Sequence, residues 1–193
     1  MATSLPHNRR HQPRPPAAAP PPPAMPRFEH IRHKPPEPLA APRELVVACA
    51  AMRSHVNLSH IVRTCGCFGI GRVIACGAAG IHGRIARDGA ESVEVAVHRS
   101  LPPVLDRLRA DGFEIVGLEQ ATGSESLFTF AFAARTVLVI GNERTGLEQP
   151  ELDRLDRVAE IPMAGLPHSL NAATSASIAV YEYCRQWPVG GAP

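Results

Sequence analysis

At 193 residues the chain is long enough for one good-sized domain and too short for two comfortable ones, and 45% apolar content is ordinary for a globular protein. Thirteen of the 20 prolines lie in residues 1–42, including the run "PPAAAPPPPAMP". That segment has too few large apolar residues to offset the entropy of ordering, so residues 1–42 read as a disordered Pro/Arg-rich tail ahead of a folded domain over 43–193.

Charge divides near the same place. Residues 1–36 carry six Arg/Lys against Glu29 alone, net +5, whereas residues 37–193 hold 14 against 17 acids, net −3. A basic arm of this kind attracts a polyanion such as RNA; a low-complexity extension with no dedicated role is the other reading. No apolar run approaches the roughly 18–20 residues of a membrane span. The N-terminus lacks the continuous apolar core of a secretory signal; its Arg-rich, acid-poor composition leaves an organelle address open, while its few serines and many prolines argue against an amphipathic helix. A cytoplasmic protein without a membrane segment is expected. Cys49, Cys65, Cys67, Cys76 and Cys184 make an odd number with no paired spacing, which implies reduced, mostly buried thiols. Cys65 and Cys67 lie near His55 and His60, yet no second Cys/His pair follows at zinc-finger spacing, so no metal is expected.

From about residue 43 strands and helices alternate. "ELVVACA" (44–50) reads as a strand and "NLSHIVRTCGCFG" (57–69) as a helix with Asn57 at its N-cap; Leu58, Ile61, Val62, Cys65 and Phe68 share a face, and Gly69 and Gly71 stop it. "RVIACG" (72–77) is a strand, "GAAGIHGRIARDGAE" is loop-rich, and "VEVAVHR" (93–99) alternates as a short strand. Pro102 and Pro103 open a helix that ends at Gly112. "FEIVGLE" and "TVLVIG" are further strands with "SLFTFAFAA" between them, and "EQPELDRLD" is a short helix. "VAEIPM" is the last strand, and "SLNAATSASIAVYEYCRQW" is a long final helix before Pro188 with Ser169 as its N-cap.

Such alternation, with strands rich in Val and Ile, predicts an α/β fold: a mostly parallel sheet with helices on both faces. Ligands then bind beyond the carboxyl ends of the strands, which puts 141–147, 118–120 and 161–163 on the ligand-facing edge. The ligand is not announced by a nucleotide signature. No strand is followed by GxGxxG, no GxxxxGK[ST] occurs, and there is no G-x-S-x-G elbow.

Three polar clusters stand out against this frame. Arg63 lies on the helix face opposite Leu58, Ile61 and Cys65, one turn and more beyond Asn57. Asn142, Glu143 and Arg144 follow Gly141 on the turn that leaves a hydrophobic strand. Ser169 and Asn171 open a final helix whose first turns are almost free of bulk. Each alone is satisfied by a bland reading: a capping Asn with a solvated Arg, a polar turn, a helix pressed against other backbone.

Taken in order, "NLSHIVRTCGCFG", "VLVIGNERTGL…IPM" and "SLNAATSASIAVYEY" resemble the three motifs of the SpoU/TrmH family of RNA ribose 2′-O-methyltransferases, in the SPOUT superfamily. The match spans about residues 44–187; Ser59 departs from it, standing where the family usually has glycine. The resemblance implies a deep C-terminal trefoil knot (an alpha/beta knot) whose loops hold S-adenosyl-L-methionine, with the backbone of Leu118, Gly141, Ile161 and Leu170 as the cofactor-binding positions. It implies a homodimer in which each active site is completed by the partner chain. It also implies catalytic duty for Arg63, Asn57, Glu143, Ser169 and Asn171. Arg63 corresponds to the arginine proposed to activate the ribose hydroxyl; a guanidinium is a poor base, and holding the phosphate beside the target ribose is its other role. Glu143 is expected to orient Asn57, Arg63 or the partner loop, while Ser169 and Asn171 donate hydrogen bonds to phosphate, ribose or the arginine. The expected activity is S-adenosylmethionine-dependent methylation of an RNA ribose 2′-OH. Because the chain resembles the minimal family members, tRNA is favoured over rRNA. A non-catalytic RNA-binding knotted protein and an unrelated doubly wound nucleotide-binding protein remain the alternatives.

Overall fold

The computed structural model describes residues 27–32, 34–39 and 41–188. The first elements in chain order are β1 (Leu45–Cys49), α1 (His55–Cys67), β2 (Arg72–Cys76), α2 (Gly83–Ala86), α3 (Gly89–Ser92), β3 (Glu94–His98) and α4 (Pro102–Ala110). They are followed by β4 (Glu114–Leu118), β5 (Glu125–Ser126), β6 (Thr136–Ile140), α5 (Gln149–Leu152), β7 (Arg157–Glu160) and α6 (Ala172–Gln186). The described strands form one seven-stranded sheet in the order β3-β2-β1-β6-β4-β7-β5, and every pairing is parallel.

The central strands β1 and β6 are buried at all five positions, as a parallel sheet covered on both faces demands. Their side chains divide between two cores with period two. Leu45, Val47 and Cys49 join Leu58, Ile61 and Val62 of α1 and Ala176, Val180 and Tyr183 of α6. Val46 and Ala48 point the other way, to Val104, Leu105 and Leu108 of α4 and to Leu152 and Leu155. Helices therefore cover both faces, and each fully buried Leu, Ile or Val contributes about 1.5–3 kcal/mol. Arg43 fastens two helix ends together on the first face, donating to the carbonyls of Phe68, at 3.0 Å, and of Trp187.

Local differences from the sequence reading have local causes. Helix α1 begins two residues before Asn57, because the Ser54 hydroxyl accepts the Asn57 N–H at 3.3 Å and so caps it. Helix α6 is capped by Asn171, not Ser169: the Asn171 Oδ1 accepts the N–H groups of Ala173 at 2.9 Å and Thr174 at 3.3 Å. The stretch read as loop after β2 contains α2 and α3, and the last strand stops at Glu160. Ser59 is fully buried: its hydroxyl donates to the His55 carbonyl at 2.6 Å and accepts the His82 N–H at 2.8 Å, tying α1 to the loop before α2. The tail read over 1–42 falls largely outside the described residues; those described within 1–36 form no helix or strand. Among the described residues no helix is long and apolar enough to cross a membrane, and no group of three or more His, Cys, Asp or Glu is arranged to hold a metal ion.

Candidate active site

Strand β6 lies between β1 and β4, so the chain leaves the centre of the sheet in one direction through β2 and β3 and in the other through β4, β7 and β5. Such a reversal opens a crevice beyond the strand carboxyl ends. Here it is a cleft of about 380 Å³, within the range of roughly 300–1,000 Å³ typical of small-molecule sites.

The turn after β6 is folded back tightly. Asn142 and Gly146 exchange both backbone hydrogen bonds at 2.9 Å, and the Asn142 side chain accepts the Arg144 N–H at 2.8 Å and donates to the Ala51 carbonyl at 2.6 Å. A side chain at Gly141 would have its Cβ 2.5 Å from the Gly146 carbonyl carbon, so the strand must end in glycine. Gly146 adopts φ +66° and lies where a Cβ would be 2.4 Å from a Glu119 oxygen. Glu119 in turn accepts the N–H of Leu147 and of Gln120, each at 3.0 Å, joining the loops after β4 and β6.

Three separate stretches meet at the cleft through one chain of hydrogen bonds. The Glu143 carboxylate accepts the backbone N–H of Arg53 and of Ser54 and the side-chain amide of Asn57, all at 3.0 Å. The Asn57 Oδ1 accepts the Asn171 amide at 3.1 Å, and Asn171 caps α6. Partial burial pushes the Glu143 carboxyl up, but the donors from Arg53, Asn57 and Ser54 outweigh it and hold the group below the usual carboxylate range. It is therefore an acceptor at neutral pH, with its charge already spoken for by protein donors.

Asn57, Glu143, Ser169 and Asn171 all line the cleft, and so do Leu118, Gly141, Ile161 and Leu170. Arg63 does not. It is exposed, and six residues of helix beyond Asn57 carry it about 9 Å along the axis and roughly 240° around it. It makes no hydrogen bond or ion pair with a described residue, so one chain does not bring Arg63 to the other four. Glu119, Gln120 and Met163, on the edges marked as 118–120 and 161–163 but given no role there, also line the cleft, as does Ser175, which the sequence reading did not single out. Glu119 also holds its neighbour Gln120, but its other partner, Leu147, lies 28 positions away, beyond local pattern.

The lining is two-sided. Leu118, Ile140, Ile161 and Met163 supply apolar surface at the ends of β4, β6 and β7, Leu170 adds to it just before α6, and Asn57, Glu143 and Asn171 form a polar flank beside α1 and α6. The model of the SpoU rRNA Methylase family matches residues 44–181, which holds every residue of this constellation. The chain belongs to the SpoU methylase family. Among the SpoU relatives it is 31% identical over 158 residues to the 23S rRNA (guanosine(2553)-2′-O)-methyltransferase RlmP of Bacillus subtilis, covering 78% of this chain and 62% of that protein. The solved A. aeolicus TrmH/SpoU tRNA modifying enzyme superposes with a TM-score of 0.70 at 28% identity, covering 75% of each chain. The SpoU methyltransferase AviRb from Streptomyces viridochromogenes, solved in complex with the cofactor AdoMet, gives a TM-score of 0.66 at 27% identity over 77% of this chain and 63% of that one. This chain spans between 10% and 64% of the length of the curated relatives it matches.

Proposed function

We propose that the chain transfers a methyl group from S-adenosyl-L-methionine to a ribose 2′-OH of RNA. The observation that carries this reading is the Glu143–Asn57–Asn171 chain, which unites the three family motifs at one cleft. The cleft fits the cofactor in kind: apolar side chains from Leu118 to Leu170 suit a purine, and the carboxylates of Glu119 and Glu143 line a space that a sulfonium cation would share. The proposed holding groups are the backbone of Leu118, Gly141, Ile161 and Leu170. When bound, the cofactor supplies a methyl carbon already activated by a positively charged sulfur.

The chain's own task is then the acceptor, a weakly acidic hydroxyl that needs in-line placement and a partner for its proton. Asn57 and Asn171, fixed by Glu143, define the polar wall against which the ribose is set, and Ser169 adds an exposed hydroxyl at the same rim. Arg63 comes from a second copy. Val56, Ile178 and Tyr181 are 43%, 38% and 59% exposed on α1 and α6, which pack side by side through Thr64–Ser177 and Phe68–Tyr181 contacts. Covering that apolar face with a second chain would carry each Arg63 toward the partner's cleft and form the homodimer the family resemblance implies. There its fork of donors suits the phosphate beside the target ribose.

The proposed unit is residues 43–193, with a trefoil knot formed by the cleft loops and α6, acting in the cytoplasm. The RNA names of RlmP and the TrmH enzyme support a tRNA or rRNA substrate, and tRNA is the favoured one. Mapping ribose methylation across total RNA with and without the gene tests this: a single lost site identifies the substrate. An unchanged map together with cofactor binding would favour a non-catalytic RNA-binding role.

A further inference from the structure

The arginines of residues 37–193 sort by the edge of the sheet on which they lie. At the amino-terminal edge three arginines are matched with acids. Arg135 pairs with Glu44 at 2.8 Å, Arg157 with Glu125 at 2.7 Å and Glu114 at 3.5 Å, and Arg109 with Asp156 at 2.9 Å. Arg72, at the start of β2, makes no ion pair with a described residue, but its Nε is buried and not presented to solvent.

The carboxyl edge is different. Arg99 follows β3, Arg53 follows β1 and Arg144 follows β6; all three are exposed, and no side-chain hydrogen bond or ion pair joins any of them to a described residue. The two acids that line the cleft are occupied: Glu143 by the donors of Arg53, Ser54 and Asn57, and Glu119 by those of Leu147 and Gln120. Arg84 and Arg87 share the segment between β2 and β3 with Asp88 and Glu91, so that segment carries no net charge. In a unit with net charge −3, three exposed arginines without an acid partner among the described residues thus lie on the edge that holds the cleft.

Strands β3, β2, β1 and β6 are consecutive neighbours, so the row spans three strand spacings, about 14 Å at the backbone. That length accommodates several phosphates at roughly 3.4 Å of rise or more per nucleotide. The row also enters the cleft from its polar side: the Arg53 N–H rests on Glu143, and Arg144 lines the mouth. We infer that Arg99, Arg53 and Arg144 form the track along which the RNA backbone reaches the cleft. Arg99 and Arg53 hold phosphates away from the reacting ribose, and Arg144 holds one at the cleft mouth, short of the phosphate left to the second copy's Arg63. The inference rests on the proposed RNA methylation and adds the direction of strand entry, from the β3 side toward β6.

The test is the salt dependence of binding of unfractionated tRNA to the full chain. Replacing both Arg53→Gln and Arg99→Gln should flatten the slope of log affinity against log salt by roughly 0.7–0.9 per lost phosphate contact, about 1.4–1.8 in all. Arg53→Lys with Arg99→Lys should retain the slope. Arg107→Gln, on exposed α4, should leave it unchanged, and S-adenosylmethionine affinity measured by calorimetry should show that the variants are folded. An unaltered slope in the double glutamine variant, or no salt-dependent tRNA binding by the unmodified chain, overturns the track. Binding with the expected slope but no methyl transfer would instead overturn the reaction and leave the track standing.

Discussion

Asn57 and Asn171, 114 positions apart, share a hydrogen bond of 3.1 Å, and the same Asn57 donates to Glu143 at 3.0 Å. An amide is the side chain suited to this place, since it must donate on one side and accept on the other. Asn57→Ala strands both neighbours and should cost about 1–3 kcal/mol in denaturant melts, along with methyl transfer. Asn57→Asp should be worse at neutral pH, because it sets a second carboxylate against Glu143, and should recover as pH is lowered and the pair takes up a proton. Equal stability of the two variants at every pH would remove Asn57 from this role.

Glu143 gives the site an acid limit. Its folded value lies below its ordinary one near 4.5, so the unfolded chain binds the proton more readily. The stabilisation is therefore fully present above that ordinary value and is lost as pH falls through the depressed folded one. The stability gap between the unmodified chain and Glu143→Gln should be constant from pH 8 to about 5.5 and shrink below about 4.5. A gap that widened on acidification would contradict the sign.

Gly146→Ala places a side chain at φ +66° and against the Glu119 carboxylate. Strain of about 1 kcal/mol or more is expected, and the displaced Glu119 should release the Leu147 N–H. Calorimetry should show weakened S-adenosylmethionine binding even where the fold survives; unchanged affinity would separate this turn from the cofactor.

The thiols offer a check on packing. Burial pushes Cys65 up to about 12 and Cys76 up to about 11, so neither forms thiolate near neutrality, while Cys67 is exposed on α1. Maleimide at pH 7.5 should label Cys67 first and the buried thiols only on unfolding. Rapid modification of Cys65 in the native protein would show that the α1–α6 core is looser than described.

The two halves of the site should complement each other between chains. Arg63→Ala should abolish methylation while cofactor binding stays nearly intact, and Asn57→Ala should also be inactive. Random exchange between the two variants would rebuild one whole site in each mixed dimer, restoring about a quarter of the unmodified turnover. A mixture as dead as its parts would place Arg63 and Asn57 in one chain's site, and an active Arg63→Ala parent would place Arg63 outside it.

What the sequence disclosed followed the range of the interactions. The runs at 44–50 and 136–141 were legible as strands because their burial on both faces is written in consecutive Val, Ile and Leu. The two-residue β5 carries no such pattern, and the place of β6 beside β1 depends on a pairing of Leu45 with Thr136, far apart in sequence. Capping shows the same limit. Asn57 and Ser169 were reasonable N-caps by residue type, but the N–H groups went to Ser54 and Asn171, whose oxygens are in reach. Motif order placed Asn57, Glu143 and Asn171 together; only the fold revealed that Asn57 is the link and that Arg63 points away from its own chain's cleft.

The central claim is methyl transfer to a ribose oxygen, and one assay addresses it most directly. The purified full-length chain is incubated with methyl-labelled S-adenosylmethionine and tRNA or rRNA, and the product is digested with alkali. Label should appear in an alkali-resistant dinucleotide, whose 2′-oxygen is blocked, and should vanish with Asn57→Ala. Label found on a base, or absent from RNA although the cofactor binds, would contradict the account.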